Sequence, residues 1–151
     1  MRIALDSNIL IYAEGINDER RQILATLLLD AIGPQNLVLP LQAAGEVFRT
    51  LLKSGSHTPE TAALRVKAWL SHFKSQETTA RVFDHALQIV KQHGLQVWDS
   101  IILSAAGESG ARYLLSEDMQ DGFKWQNVTI INPFIGDTEK TVERLMKATL
   151  H

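Results

Sequence analysis

Short apolar runs alternate with longer stretches of helical periodicity along this chain, and that alternation constrains its fold more than any other feature. Ile3–Leu5, Leu37–Leu39, Arg112–Leu115 and Val128–Ile131 have the length and content of strands. Between them, Asp18 stands where it would cap a helix with Ile23, Leu24, Leu27, Leu28 and Ala31 on one face, ended by Gly33–Pro34. Leu41–Leu52 is helical. Thr58–Pro59 reads as an N-cap followed by proline at the first helical position, and Ala62, Val66, Trp69, Leu70 and Phe73 form the inner face of the helix that follows. In the next, Val82, Phe83, Ala86, Leu87 and Val90 face inward and Gly94 is the stop. Asp99 opens a helix that ends near Gly110, and a last amphipathic helix spans Thr138–Leu150 with Val142, Leu145, Met146 and Thr149 at helical spacing. Strands alternating with helices, with no tight hairpin signal, predict an α/β fold around a parallel sheet.

At 151 residues the chain is expected to be one unit with a substantial core. No apolar run reaches the roughly 18 residues of a membrane span, so no membrane partner is expected. "MRIALDSN" carries an acid and an amide too early for a signal peptide, and there is no cysteine; both point to the cytoplasm. Fifteen basic against 17 acidic residues give a net charge of −2, unlike a protein that coats nucleic acid nonspecifically.

Four acids stand in unusual contexts: Asp6 in "ALDSNILIY", Glu46 in "LQAAGEVFRTLL", Asp99 in "LQVWDSIILSAA" and Asp118 in "YLLSEDMQDG". Each has an ordinary explanation. Asp6 and Asp99 are placed as helix N-caps. Asp118 is placed as a turn residue. Glu46 lies either on a solvated face with Gln42, Arg49 and Lys53, or inward on an otherwise apolar helix, where it needs a cation, a donor or a proton. Asp6, Asp99 and Asp118 closely follow apolar runs. If those runs are neighbouring strands, the three carboxylates share the carboxyl edge of the sheet, where α/β folds gather their chemistry.

Carboxylates gathered so closely repel one another, and a divalent cation reverses that repulsion. Oxygen donors suit Mg²⁺ or Mn²⁺. His57, His72, His85, His93 and His151 are scattered and read as surface or helix-end residues, so zinc is not expected. Phosphate-binding glycine loops and a "GxSxG" elbow are absent, and Asn8 stands where a phosphoaspartyl-transfer enzyme would carry its second aspartate.

With these motifs in hand, the chain resembles the PIN-domain ribonucleases, and within them the VapC-type toxins of bacterial toxin–antitoxin pairs. The resemblance runs from "ALDSNILIYA" through "GEVFRTL" and "HGLQVWDSIILSAA" to "YLLSEDMQDG" and "INPF". It implies a PIN-like α/β/α sandwich with a short, mainly parallel central sheet over 1–134, and a helical extension over 135–151 that packs on the domain or serves dimer or partner contact. It also implies a Mg²⁺- or Mn²⁺-dependent endoribonuclease acting on RNA, a cognate antitoxin and a homodimer. Carried over by position, Asp6, Glu46, Asp99 and Asp118 are the catalytic and metal-binding acids. Asn8 and Ser116 support them, and Asp121 shares or takes over the role of the last acid. Arg49, Lys53 and Arg112 are candidates for phosphate contacts. Trp98 is either a base-stacking platform or, the favoured reading, a core aromatic in a strand. Two rival functions are a PIN-like fold that binds RNA or protein without turnover, and a metal-dependent DNA nuclease.

Overall fold

The computed structural model of the chain describes residues 1–150; His151 lies outside the described residues. Six strands form one sheet: β1 (Arg2–Leu5), β2 (Leu37–Pro40), β3 (Lys74–Gln76), β4 (Ala111–Leu115), β5 (Lys124–Trp125) and β6 (Val128–Ile131), in the order β3-β2-β1-β4-β6-β5. All pairings are parallel except β5 with β6. Seven α-helices connect them: α1 (Ser7–Ala13), α2 (Glu19–Ile32), α3 (Leu41–Lys53), α4 (Pro59–His72), α5 (Ala80–His93), α6 (Val97–Glu108) and α7 (Thr138–Thr149). None is long and apolar enough to cross a membrane.

Successive strand residues point to opposite faces of a sheet. Ile3, Ala4 and Leu5 are all fully buried, and Leu37, Val38 and Leu39 nearly so, so helices cover both faces here. α6 lies against β2, β3, β4 and β6, and α5 packs on its outer side. That sandwiched position explains its composition: every residue from Ser100 to Ala106 is buried, and the Ser104 hydroxyl donates to the Val82 carbonyl at 2.8 Å.

The chain leaves β1 for β2 and β3 on one side, then returns to β4 and β6 on the other. The β1–β4 boundary is therefore the switch point of the sheet, where diverging connections leave a crevice at the carboxyl ends. Backbone pairing continues one step past each strand there: Asp6 N–H donates to the Leu115 carbonyl at 2.9 Å and Ser116 N–H to that of Ile131 at 3.0 Å.

Several expectations are corrected. β5 and β6 form a hairpin around Gln126–Asn127, with Gln126 in the left-handed region at φ 51°. No glycine marks that turn. β3 is a short, polar edge strand without an apolar run. Leu95–Trp98 is not a strand: Gln96 caps α6, its side chain accepting from Asp99 N–H at 3.0 Å, so Asp99 sits inside the first turn rather than at the cap. α2 buries Ala25, Leu28, Leu29 and Ile32 but leaves Ile23 and Leu27 exposed; α5 buries Val82, Ala86 and Ile89 but leaves Phe83 and Leu87 out. Both helices carry more apolar residues than the single stripe their neighbours cover. α7 packs on α2, with Leu145 fully buried.

Candidate active site

Asp6 begins where β1 ends. Its backbone still pairs with β4, while its side chain caps α1, Oδ1 accepting from Ser7 N–H at 2.7 Å. The cap explanation is correct, yet incomplete. Oδ2 accepts from the Ser116 hydroxyl at 2.6 Å and from Asn8 Nδ2 at 3.2 Å. Both lone pairs of Oδ2 are engaged, whereas the second contact to Oδ1 is the Ser7 hydroxyl at a long 3.5 Å, so the acceptor capacity left on this carboxylate is on Oδ1.

The loop after β4 is tied to the same point. Ser116 Oγ accepts from the N–H groups of Asp118 and Met119, each at 3.2 Å. Asn8 works from both ends of its amide: Nδ2 also donates to Asp118 Oδ2 at 3.1 Å, and Oδ1 accepts from Glu117 N–H at 3.2 Å. One asparagine thus fixes the spacing of Asp6 and Asp118, 112 positions apart in sequence.

α3 supplies a wall. Its apolar face (Ala43, Ala44, Val47, Leu51) is buried, and Gln42, Gly45, Glu46 and Arg49 face a cleft of about 580 Å³. Glu46 lies on the polar face with Gln42 and Arg49, as one expectation had it, but that face looks into the cleft. Ser7 Oγ donates to Glu46 Oε1 at 3.0 Å, and Gln42 Nε2 approaches Oε2 at 3.4 Å. Gln96, Trp98 and Asp99 bring the start of α6 to the same cleft, which Asp118 and Ser7 also line.

Charge is concentrated here. Burial pushes the Asp6 carboxyl up to about 7, against the lowering effect of its Ser116 and Ser7 donors, with further upward pressure from Glu46 and Asp99. Asp99 is also raised, first by partial burial and then by the charges of Glu46 and Asp118. No hydrogen-bond donor among the described residues satisfies its carboxylate. Four acids therefore lie within each other's field, and the least supported of them faces the cleft.

Such a donor set suits a hard divalent ion: all oxygen, mutually repelling, with open acceptor capacity on Asp6 Oδ1 and on Asp99. Among the described residues no three acidic or histidine side chains converge closely enough to hold an ion alone. An ion would rest on one or two carboxylates and complete its shell with water, as Mg²⁺ commonly does.

Two expected residues lie elsewhere. Asp121 Oδ1 accepts from Asn132 N–H at 2.8 Å and lines a separate cavity with Ile135 and Lys140; it locks the loop before the β5–β6 hairpin to the segment after it. Arg112 is near the amino end of β4, beside Gly110 and Gln126, across the sheet from the acids. Trp98 is no core aromatic; it is 51% exposed. Other participants carry no sequence signal. Ser7 bridges toward Asp6 and Glu46. Glu117, between Ser116 and Asp118, accepts from Tyr12 Oη and Arg21 Nε, both at 2.6 Å. The Arg21 guanidinium lies over the Tyr12 and Phe134 rings, which themselves meet edge-on at 5.4 Å.

The sequence profile of the PIN domain matches residues 3–123. No curated protein sequence matches the chain. Similar solved structures include a toxin–antitoxin complex from Klebsiella pneumoniae (TM-score 0.66, 21% identity, 87% of this chain and 98% of that one). Another is VapC20 of Mycobacterium tuberculosis, a sarcin–ricin-loop-cleaving toxin (TM-score 0.64, 16% identity, 77% and 91%). A third is DNA-bound VapBC from Salmonella typhimurium (TM-score 0.61, 17% identity, 86% and 96%). At these identities the likeness is one of fold.

Proposed function

The chain belongs to the PIN domain family, and from that premise we propose that it is a Mg²⁺- or Mn²⁺-dependent endoribonuclease, the toxin of a toxin–antitoxin pair. The observation that carries this reading is the gathering of Asp6, Glu46, Asp99 and Asp118 at the switch point of the sheet, with Asp99 raised by partial burial and then by the charges of Glu46 and Asp118, and without a hydrogen-bond donor among the described residues. A fold with no use for a cation gains nothing from holding repelling carboxylates together.

In this reading Asp6 and Asp99 are the ligands, and Glu46 and Asp118 hold a further ion or orient the attacking water. A bound divalent ion supplies a water of lowered pKa, polarises the scissile phosphate and stabilises the leaving 3′ oxygen. The chain's own residues do the positioning. Ser116 and Asn8 fix the rotamer of Asp6 by donating to Oδ2, while Oδ1 stays on the Ser7 N–H at the start of α1. Ser7 and Gln42 hold Glu46 from two directions. By analogy with the family, products carry 5′-phosphate and 3′-hydroxyl ends. A cytoplasmic location, a cognate antitoxin that silences the site and a homodimer belong to the same proposal. So does a unit comprising 1–134, with α7 as an extension packed on α2.

The test combines thermal unfolding with cleavage. Saturating Mn²⁺ should raise the melting temperature of the wild type by several degrees, since ligand bound to the folded state alone stabilises by mass action. Asp99→Asn should abolish both that rise and cleavage of single-stranded RNA. Digesting single-stranded RNA, single-stranded DNA and duplex DNA side by side identifies the substrate. Faster DNA cleavage would replace the ribonuclease reading with a DNA nuclease; tight RNA binding without turnover in Mn²⁺ would replace it with a binding module.

A further inference from the structure

Trp98 is the second residue of α6, adjacent to Asp99, and exposes half of its surface at the rim of the acidic cleft. The other two tryptophans lie against rings: Trp69 stacks on Phe73 at 5.5 Å and Trp125 meets His85 edge-on at 6.2 Å. Among the described residues no ring pairs with Trp98. Across the same cleft stands Gly45, in the interior of α3. A Cβ built there meets nothing within 4 Å, so packing does not require glycine, although alanine would favour the helix. What glycine provides is an open wall beside Glu46. One turn on, Arg49 lines the cleft and forms no ion pair among the described residues, despite lying three positions from Glu46.

We propose that the cleft takes a single-stranded segment of nucleic acid, one unstacked base lying on the Trp98 indole, the sugar–phosphate chain passing Gly45, and a phosphate meeting Arg49. This deepens the nuclease reading above and rests on it. An indole face suits any base and discriminates against duplex, whose bases are stacked and unavailable. A protein segment seated on Trp98 would find Ile11 as the one aliphatic side chain beside it, the rest of the lining being Gln42, Gln96, Thr50, Ser7, Arg49 and carboxylates, which suits a base and a phosphate better than an apolar anchor.

The test uses the full chain with Ca²⁺ in place of Mg²⁺ and a fluorescein-labelled 12-nucleotide single-stranded RNA, read by anisotropy and by tryptophan emission. Binding should quench wild-type emission, and Trp98→Phe should lose that quenching while keeping most of the affinity. Trp98→Leu, apolar without a ring face, should bind about tenfold more weakly. Gly45→Gln should weaken binding with no fall in melting temperature, and unlabelled duplex RNA should compete poorly. Trp98→Leu binding as tightly as wild type, or duplex competing as well as single strand, would overturn the proposal while leaving wild-type cleavage, assayed in parallel with Mn²⁺, intact. Wild type that neither binds nor cleaves RNA would instead remove the parent reading, and this one with it.

Discussion

Asp6 keeps a carboxyl group where burial opposes its charge and three donors favour it, and burial dominates. Its folded pKa of about 7 lies above its unfolded value of 3.8. Between those values the native state holds a proton that the unfolded chain releases, so unfolding gains as pH rises. The metal-free protein should therefore lose stability from about pH 4 to pH 7, by roughly 4 kcal/mol at most from this group. Asp99, raised in the same direction, adds to the loss. Thermal melts in EDTA across this range should show a falling midpoint, and saturating Mn²⁺ should flatten the curve. A flat metal-free curve would contradict the burial of Asp6. The Ser116 hydroxyl opposes that burial. Ser116→Ala removes a 2.6 Å charge-assisted bond and should cost about 2 kcal/mol by urea unfolding at pH 7.5. Asparagine 8 and the four acids each stood out in the sequence, but singly and with an ordinary explanation available. What the sequence lacks is their convergence, because hydrogen bonds such as Asn8 to Asp118 span 110 positions. Ser7 and Arg21 were invisible for the same reason.

At the level of elements, legibility followed burial. β1, β2, β4 and β6 were readable because strands covered on both faces are nearly continuous apolar runs. β3 and β5 sit at the edges of the sheet; the polar Lys74–Gln76 and the two-residue Lys124–Trp125 carry no apolar run that would mark a strand. The start of α6 is hidden in the sequence because "LQVW" has strand composition, while its cap is a glutamine, a weaker signal than the aspartate three positions later. β5 lies over α6 so closely that a Cβ on Gly107 would stand 2.8 Å from the Trp125 ring. Gly107→Ala should therefore destabilise by about 1–2 kcal/mol, whereas the usual gain from alanine in a helix would be seen if the hairpin were free to move aside. The turn from β4 into the site is braced from outside by Arg21 and Tyr12 through Glu117, in addition to the Asn8 and Ser116 bonds that tie it to the acids. Arg21→Ala should lower the rate of RNA cleavage at saturating substrate with the circular dichroism spectrum unchanged, as expected of a residue that acts by holding the Asp118 loop. An unchanged rate would show that Asn8 and Ser116 hold the loop unaided.

Over the whole molecule, the segment after β6 is tied to the back of the site. Phe134 packs on Tyr12, Arg21 lies over both rings, and α7 seats Leu145 against the core beside α2. The expectation that the fold is α/β with a mainly parallel sheet needed none of this, since the strand–helix alternation ends before it. Electrostatics at this scale sets a last constraint. The chain carries a net charge of −2 and its cleft is lined by carboxylates, so attraction of nucleic acid has to come from particular cations and not from net charge. Arg49 of α3 lines the cleft, and Lys53 follows it a turn further along the same helix, outside the lining; Arg112 is excluded by its place at the other end of the sheet. Neutralising two phosphates of a single strand gives a slope of log affinity against log salt of about −1.4. Anisotropy titrations of single-stranded RNA from 50 to 300 mM KCl, at a fixed divalent concentration, should give a slope near that value, and Arg49→Ala should make it shallower by roughly half. A slope of about −4 or steeper would require cations outside the cleft, and with them an RNA path that extends beyond it. A shallow slope with retained affinity leaves stacking and the metal-bridged phosphate as the main attraction, which is the balance that a single exposed indole beside four carboxylates would produce.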